Sequence, residues 1–488
     1  MTTFWDRFSA QKTPTPQNDS HPSTIRPSHD SETLAELDLE RLKILNAEFQ
    51  RVDGRGLLSK DPKDTLTTQN KTTALTKHLT MAQSPFRFFR GSASLFYADL
   101  STARLSLPEA FTALPFTRIQ GDCHFSNFGF LTEEGSHGDD LVWALNDFDD
   151  ACVGHAAWDL LRFATSLFLV TDTCQGFKKR RYPNDLPAEK KQYAPTKKGA
   201  QAAVLRFLEA YSHSCDEMIG DPDRRNQKLE SFKQTHFLYR FWKKAAKRQL
   251  GGKDFEQKSS LGKATLCFEG QLRFRPLPDR FMRLSPQQEK EIRTAFRPYV
   301  DDEILDLVQR QGAGTGSLDI DRYYLLVGPA QPDLKDWSQM AHLVEVKQQK
   351  PAAALYHFPS LSPVNRLNPA HLTVDCQRLM QRRPDLVLDE AFWREKSWLV
   401  RSRHHARLGL DPEDLMTHPD PNKALQHYAK ACGKVLAQAH ARGDRRSTRF
   451  ETQMVQALEK SAMELADLAE IYAKNVKKDW QLFKTVFA

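Results

Sequence analysis

Apolar residues recur at helical spacing through much of the chain. From Ser31 or Glu32 to about Arg51, Leu34, Leu37, Leu39, Leu42 and Leu45 form one stripe, which predicts an amphipathic helix. Trp158 to Val170 is apolar on nearly every side and predicts a buried helix. Residues 198–218, 225–250, 286–310, 422–441 and 448–486 also read as helices. Short runs of branched and aromatic residues predict strands at 141–145, 321–327, 341–347 and around Trp398-Leu-Val400 within 391–401. Another strand is expected to end at the loop 121–129. Residues 52–82 are polar and weakly patterned, and 171–197 read as a basic, proline-containing loop. Residues 1–33 are rich in Pro, Ser, Thr and Asn and have too little apolar surface to offset ordering entropy, so a disordered tail is expected. The pattern divides the chain into that tail, a helical lobe over 34–310, a β-rich lobe over 311–421, and C-terminal helices over 422–488 that complete the helical lobe.

Composition narrows the setting. No apolar run reaches the roughly 18–20 residues that span a bilayer, and residues 1–17 lack an apolar core of signal-peptide type. Neither a membrane partner nor a secretory signal is expected. The seven cysteines are scattered and form no Cys-x-x-Cys pair, which points to reduced thiols in a cytoplasm. The net charge of +8 suits a phosphate-bearing ligand, and equally a solvated basic surface. Phe237, Tyr239, Phe241 and Trp242 lie among Arg240, Lys243, Lys244, Lys247 and Arg248. Aromatics amid cations can bind nucleic acid, but a helix with one buried and one solvated face accounts for them as well, and nucleic acid is not the expected partner. In Pro85-Phe-Arg-Phe-Phe-Arg-Gly91, the rings read as core; Arg90 either pairs with an acid or reaches a phosphate.

The chemistry concentrates between Gly121 and Asp159. Phosphoryl transfer needs a carboxylate to orient the attacking hydroxyl, oxygen ligands for Mg²⁺, a lysine for the nucleotide phosphates and a backbone cradle. In protein kinases the catalytic Asp precedes a metal-binding Asn by five positions; Asp122 and Asn127 have that spacing. Asp147, directly after the strand 141–145, supplies a second hard oxygen donor. Gly312, Gly314, Gly316 and Ser317 make a glycine-rich turn whose backbone N–H groups can approach phosphate oxygens. Val344-Glu-Val-Lys347 is similar to the kinase strand whose lysine pairs with phosphates. No αC glutamate is identifiable; Gln377 or Gln381 is the candidate neutral partner for Lys347.

These segments resemble known families. Ile119-Gln-Gly-Asp-Cys-His-Phe-Ser-Asn127 is similar to the H-G-D-x-H-x-x-N loop of aminoglycoside phosphotransferases and choline kinases, and Asn146-Asp-Phe-Asp-Asp-Ala151 with Trp158-Asp-Leu160 to their I-D-F-D-D-A and D-L segments. The resemblance implies that Asp122 is the catalytic base, that Asn127 and Asp147 hold metal, and that Asp159 is a buried acid bracing the loop. Asp149 is either a metal helper or a cap, and His124 is read as a structural hydrogen-bonding residue. The usual His before Gly-Asp is Gln120 here. The order of parts is reversed, and Cys432–Ala441 resembles the L-A-x-x-H-A helix that normally precedes the catalytic loop. The implied fold is α+β, protein-kinase-like and bilobal, in circularly permuted order.

The whole arrangement resembles the bacterial domain of unknown function numbered 2252. The match lies in Pro85–Gly91, Gly121–Gly129, Asn146–Asp150, Trp158–Arg162, Gly314–Ser317, Val346–Lys347, Cys376–Gln381 and Leu436–Ala441. Gln348 and Gln349 depart from the family's Glu-Ala after the lysine. The expected activity is ATP- and Mg²⁺-dependent transfer of a phosphoryl, or alternatively a nucleotidyl, group to a hydroxyl on a small molecule or protein. A nucleotide-binding pseudokinase, supported by Gln120, and a metal-dependent phosphoesterase using Asp122, His124, Asp147 and Asp149 are the alternatives.

Overall fold

The computed structural model describes residues 31–53, 76–133, 140–184, 186–187, 191–311, 320–330 and 340–485. The tail expected at 1–33 therefore lies almost wholly outside the described residues, as do most of the polar stretch 52–82 and the glycine turn Gly312, Gly314, Gly316 and Ser317. Among the described residues, 31–53 with 478–485 form one compact unit and 76–477 another.

In the first unit, α1 (Ser31–Asp53) is the helix expected from the leucine stripe. Leu42 and Leu45 are buried. Arg41 donates from Nε and Nη2 to the two carboxylate oxygens of Asp479, at 2.9 and 2.7 Å, and Phe49 lies 5.5 Å from Phe483.

The second unit is α+β. Its first motif is α2 (Pro85–Gly91), capped by Ser84, which accepts from the Arg87 amide at 3.3 Å. Phe86, Phe88 and Phe89 are core residues. Two antiparallel pairs follow. Strand β1 (Thr117–Ile119) pairs with β4 (Cys152–Gly154), and β2 (Phe128–Thr132) with β3 (Leu141–Leu145). The loop 120–127 thus runs from β1 to β2, and 146–151 from β3 to β4. Pairing the strands sets the two loops side by side, and the Asn146 amide donates to the Asn127 carbonyl at 3.1 Å. Helix α3 (Ala156–Lys178) is buried nearly all round, as its composition requires. It extends into the stretch expected as a loop from 171, because Thr171, Thr173, Cys174 and Phe177 still face the core. Helix α4 (Lys197–Gly220) follows.

The long helix expected over 225–250 is not formed. Only α5 (Tyr239–Ala246) is α-helical. Upstream, the Leu229 carbonyl accepts from the Trp143 amide at 2.8 Å, which holds that segment against β3. A hairpin, β5 (Thr265–Phe268) with β6 (Gln271–Phe274), turns at Glu269 and Gly270, both at positive φ.

A six-stranded antiparallel sheet comes next, in the order β11-β12-β10-β9-β8-β7. Its strands are β7 (Phe281–Met282), β8 (Glu303–Arg310), β9 (Arg322–Gly328), β10 (His342–Gln348), β11 (Leu388–Trp393) and β12 (Lys396–Ser402). The helix expected over 286–310 covers only α6 (Pro286–Phe296). Pro298 follows and has no N–H to continue the helical ladder; the chain makes one 3₁₀ turn, Arg297–Tyr299, and then enters β8. The sheet thus begins upstream of the boundary expected at 311. One face packs on α6 through Ile292, Phe296, Tyr323, Val344, Val346, Trp398 and Val400. Side chains alternate along strands, so Glu345 and Lys347 lie on the opposite face. There α7 (Pro369–Met380) covers the sheet, with Val374 packed on Leu388 and Leu399.

The chain returns through β13 (Leu408–Gly409), which pairs with β2, to α8 (Pro421–Asp444) and α9 (Arg449–Thr485). Gly433 lets α8 approach α4 closely: a Cβ there would lie 2.3 Å from the Phe207 carbonyl oxygen. No helix among the described residues is long and apolar enough to cross a membrane, and all seven cysteines are free thiols.

Candidate functional site

The loop carrying Asp122 is shaped by its backbone. Gly121 has φ +79°, and a Cβ there would lie 1.8 Å from the Asp150 carbonyl oxygen. Only glycine allows the loop to pass this close to the neighbouring loop. Tyr97 donates to the Gly121 carbonyl at 2.6 Å. Asp159, one turn into α3 and fully buried, accepts from the Gln120 and Gly121 amides at 2.7 and 3.0 Å. His440 of α8 lies 3.1 Å from the same carboxylate, and its other ring nitrogen lies 2.7 Å from the Tyr211 hydroxyl. Asp159 is thus the loop brace that the resemblance implies.

Gln120 joins the loops. Its Nε2 donates to the Asn127 carbonyl at 3.2 Å and to the Asp147 carbonyl at 2.9 Å. Asn127 in turn donates to the Asp122 carbonyl at 2.8 Å. Asp122, Asn127 and Asp147 therefore belong to one small construction.

Arg162, the last residue of the Trp158–Arg162 segment, carries no role that the motif spacing alone identifies. It is completely buried and donates from Nε and Nη2 to Asp122 Oδ1, at 2.8 and 2.5 Å, and from Nη2 to the Phe89 carbonyl at 2.9 Å. The guanidinium lies 4.1 Å from the Phe89 ring centroid. Asp159 and Arg162 stand three positions apart on one helix, a spacing that turns both toward the same loop; that was the available signal. His124 is buried, lies 3.5 Å from Asp122 Oδ2 and accepts from the Ser126 amide. Burial would raise the Asp122 pKa, but Arg162 and His124 outweigh it and hold the carboxyl below the ordinary aspartate range. Burial pushes His124 down. Asp150, whose carboxylate accepts from the Ala353 amide at 2.7 Å, is raised to about 7 by burial and by the charges of Asp122 and Asp147.

Lys347 of β10 reaches this construction from the sheet. Buried, it forms an ion pair with Asp149. Burial lowers its pKa to about 8, with Asp147 opposing and Arg401 and Arg407 adding to the shift. Gln349 also meets Asp149, at 3.4 Å, and is linked at 3.3 Å to Thr373 of α7. The partner of Lys347 is a carboxylate of the 146–150 loop and not Gln377, which donates to Gln381. The one acid of α7, Asp375, pairs with Arg118 at 3.1 Å. Glu345 stands where the kinase V-A-I-K strand has alanine; it sits buried among Arg322, Arg401 and Arg403, at 3.4, 2.9 and 3.7 Å.

Asp147 and Asn127 offer the hard oxygen donors that Mg²⁺ takes. Among the described residues no three His, Cys, Asp or Glu side chains converge to hold a metal ion. That donor set fits a magnesium bound by one or two protein oxygens and completed by phosphate and water; it does not fit a cage built wholly by the protein.

The fold and site define an α+β protein with paired acidic loops at the foot of an antiparallel sheet. A family model described as an uncharacterized protein conserved in bacteria (DUF2252) matches residues 69–486. The chain belongs to that family. No curated protein and no solved structure matches it.

Proposed function

We propose that this protein is an ATP- and Mg²⁺-dependent phosphotransferase with a circularly permuted, protein-kinase-like bilobal fold, acting on a hydroxyl of a small molecule or protein. The observation that carries the reading is the ion pair between Lys347 and Asp149. It joins segments about two hundred positions apart and brings Lys347, the lysine proposed to bind phosphate, to the loop that carries Asp147, proposed to hold metal. The order of parts around the lysine agrees: β8, the glycine-containing connection, β9, β10 with Lys347, then a helix on the sheet. Permutation is supported where α8 ends against β1. Thr117 Oγ1 donates to the His440 carbonyl at 2.8 Å, and Arg118 Nη1 to the Gly443 carbonyl at 3.1 Å. A short connection there would restore the conventional order.

In this reading Asp122 orients the acceptor hydroxyl and takes its proton, Asn127 and Asp147 hold Mg²⁺, and Lys347 binds nucleotide phosphates. The bound metal supplies charge neutralisation on the transferring phosphoryl group. Glu345 and its arginines make the sheet face polar beside the lysine, so the phosphate end carries the proposal. The phosphoesterase reading is less favoured, because His124 is turned onto Asp122 and Asp149 onto Lys347. The test is calorimetric titration with ATP and adenosine, with and without Mg²⁺, on the wild type and Asp147→Asn. Mg²⁺-dependent ATP binding, weakened in Asp147→Asn, is expected. Absence of ATP binding, or equal binding by both proteins with Mg²⁺, would refute the proposal.

A further inference from the structure

A second concavity, with a volume of about 340 Å³, lies on the sheet face that carries Lys347 and borders the 146–150 loop where Gly409 stands beside Asn146. It is bounded by Tyr324 of β9, Leu343 of β10, the short helix Ser260–Ala264 and the segment that follows β12. Arg248, Lys258, Lys263, Arg280, Arg310, Arg403 and Arg407 line it, and among the described residues no carboxylate does. Asp122, Asn127, Asp147 and Lys347 are not among its walls.

A basic surface is ordinarily just solvated, but two features set this pocket apart. First, its cations are poorly neutralised. Lys258 pairs with Asp254 at 3.2 Å, and Arg403 approaches Glu345 at 3.7 Å. Arg248, Lys263, Arg280, Arg310 and Arg407 have no acidic partner within 4.0 Å among the described residues. The mutual cost is visible in Lys263, lowered by burial and by Arg248, Lys244, Arg280 and Arg403, and in Arg407, lowered to about 10 by burial, Arg403 and Arg401. Second, Arg248 is only 7% exposed and its Nε has no hydrogen-bond partner. A buried N–H of a guanidinium group without a partner is costly unless something completes it. Arg403 lies 5.2 Å over the Tyr324 ring and Arg310 6.0 Å over the Phe281 ring, contacts that help fix both guanidinium groups at the wall.

We infer that this pocket binds a small molecule bearing two or more phosphate groups, independently of metal. Guanidinium clusters recognise phosphate bidentately, and several phosphates are needed to balance this many cations. A concavity of about 340 Å³ has room for a compact polyanion, whereas a nucleic-acid backbone is followed along an extended groove.

The test is calorimetric titration of the full chain with sodium tripolyphosphate in the presence of EDTA. The charge reversal Lys263→Glu/Arg280→Glu alters two exposed side chains, and Arg248→Met removes the buried one. Saturable metal-free binding is expected, weakened at least tenfold in the double variant and in Arg248→Met and unchanged in Asp147→Asn. Lys263→Ala, with a smaller loss, serves if the double variant does not fold. Absence of saturable binding would overturn the inference. So would loss confined to Asp147→Asn, which would assign the anion to the acidic loops, or equal, variant-sensitive binding of a ten-nucleotide single strand, which would make the surface a nucleic-acid site. Because the probe contains no nucleoside and no metal, failure here leaves the phosphotransferase proposal standing, and the reverse holds too.

Discussion

Asp159→Asn removes one charge from the centre of the loop brace while keeping its shape. The carboxylate accepts at Oδ2 from the Gln120 amide at 2.7 Å, with His440 3.1 Å from the same oxygen, and at Oδ1 from the Gly121 amide at 3.0 Å. An asparagine oxygen can replace only one of these acceptors. With that oxygen at the Oδ2 position, the new NH₂ group faces the Gly121 N–H, so one charge-assisted bond is lost and one buried donor is stranded. A bond to a charged group contributes about 1.5–3 kcal/mol, and an unsatisfied buried group costs about 1–3 kcal/mol. Avoiding burial of a full charge returns part of that sum. The expected loss is about 3 kcal/mol, equivalent to roughly 150-fold in a local opening equilibrium. Hydrogen exchange of the Gln120 and Gly121 amides reads this locally, and urea unfolding followed by tryptophan fluorescence reads it globally. Unchanged protection at both amides, with stability within about 0.5 kcal/mol of wild type, would refute the bracing role.

Three further outcomes follow from the same site. Lys347 is charged below its pKa of about 8 and neutral above it, so ATP affinity should start to fall above about pH 8. Lys347→Arg should remove the inflection; a wild-type affinity that stays flat to pH 9.5 would separate the lysine from the phosphates. Asp150, raised to about 7 in the folded chain, contributes stability that is present below the unfolded pKa of about 4 and lost as pH rises through 7. Asp150→Asn should therefore stabilise the protein little at pH 4 and by about 1–2 kcal/mol at pH 8, allowing for its partial exposure; equal shifts in thermal midpoint at both pH values would contradict this. Asp122→Asn keeps an oxygen for Arg162 and should retain nucleotide binding while lowering turnover by about 10²–10⁴; near-normal turnover would remove Asp122 from the role.

The parts legible in the sequence are those with a strong local signal. The stripes of α8 and α9, and the branched residues of β9, β10 and β12, identify their own elements. So does the five-residue spacing of Asp122 and Asn127. The failures lie where a distant partner decides. Nothing local keeps 227–238 from helix; the contact between Leu229 and Trp143 does. In β8, Asp306 looks like a solvent-facing residue, yet it is buried and accepts from the Phe274 amide at 2.7 Å and from Arg283 at 2.6 Å. The pairing of Lys347 with Asp149 crosses about two hundred positions and leaves no spacing to read. The neutral partner expected for Lys347, Gln377 or Gln381, belongs to α7 or its end, whereas the partner is an acid of the loop after β3.

Gln120 is where sequence and structure bear on each other most closely. Read as a missing histidine, it weighs toward a pseudoenzyme. Its geometry weighs differently. One amide nitrogen carries two N–H groups, and they reach the Asn127 and Asp147 carbonyls, one from each loop. A neutral imidazole has one N–H to give and cannot tie both carbonyls without taking up a proton, which burial beside Asp159 and Tyr97 would have to support. Glutamine does the bracing uncharged. The backbone amides on the other side of the loop are already taken by Asp159, itself joined by His440 from α8. Gln120 thus ties the backbone at Asn127 to the backbone at Asp147 by a neutral hydrogen-bonding group. On this geometry Gln120 is a reason to expect ordered loops, and the case for a pseudoenzyme has to come from Asp122, whose carboxylate is committed to Arg162, rather than from the residue beside it.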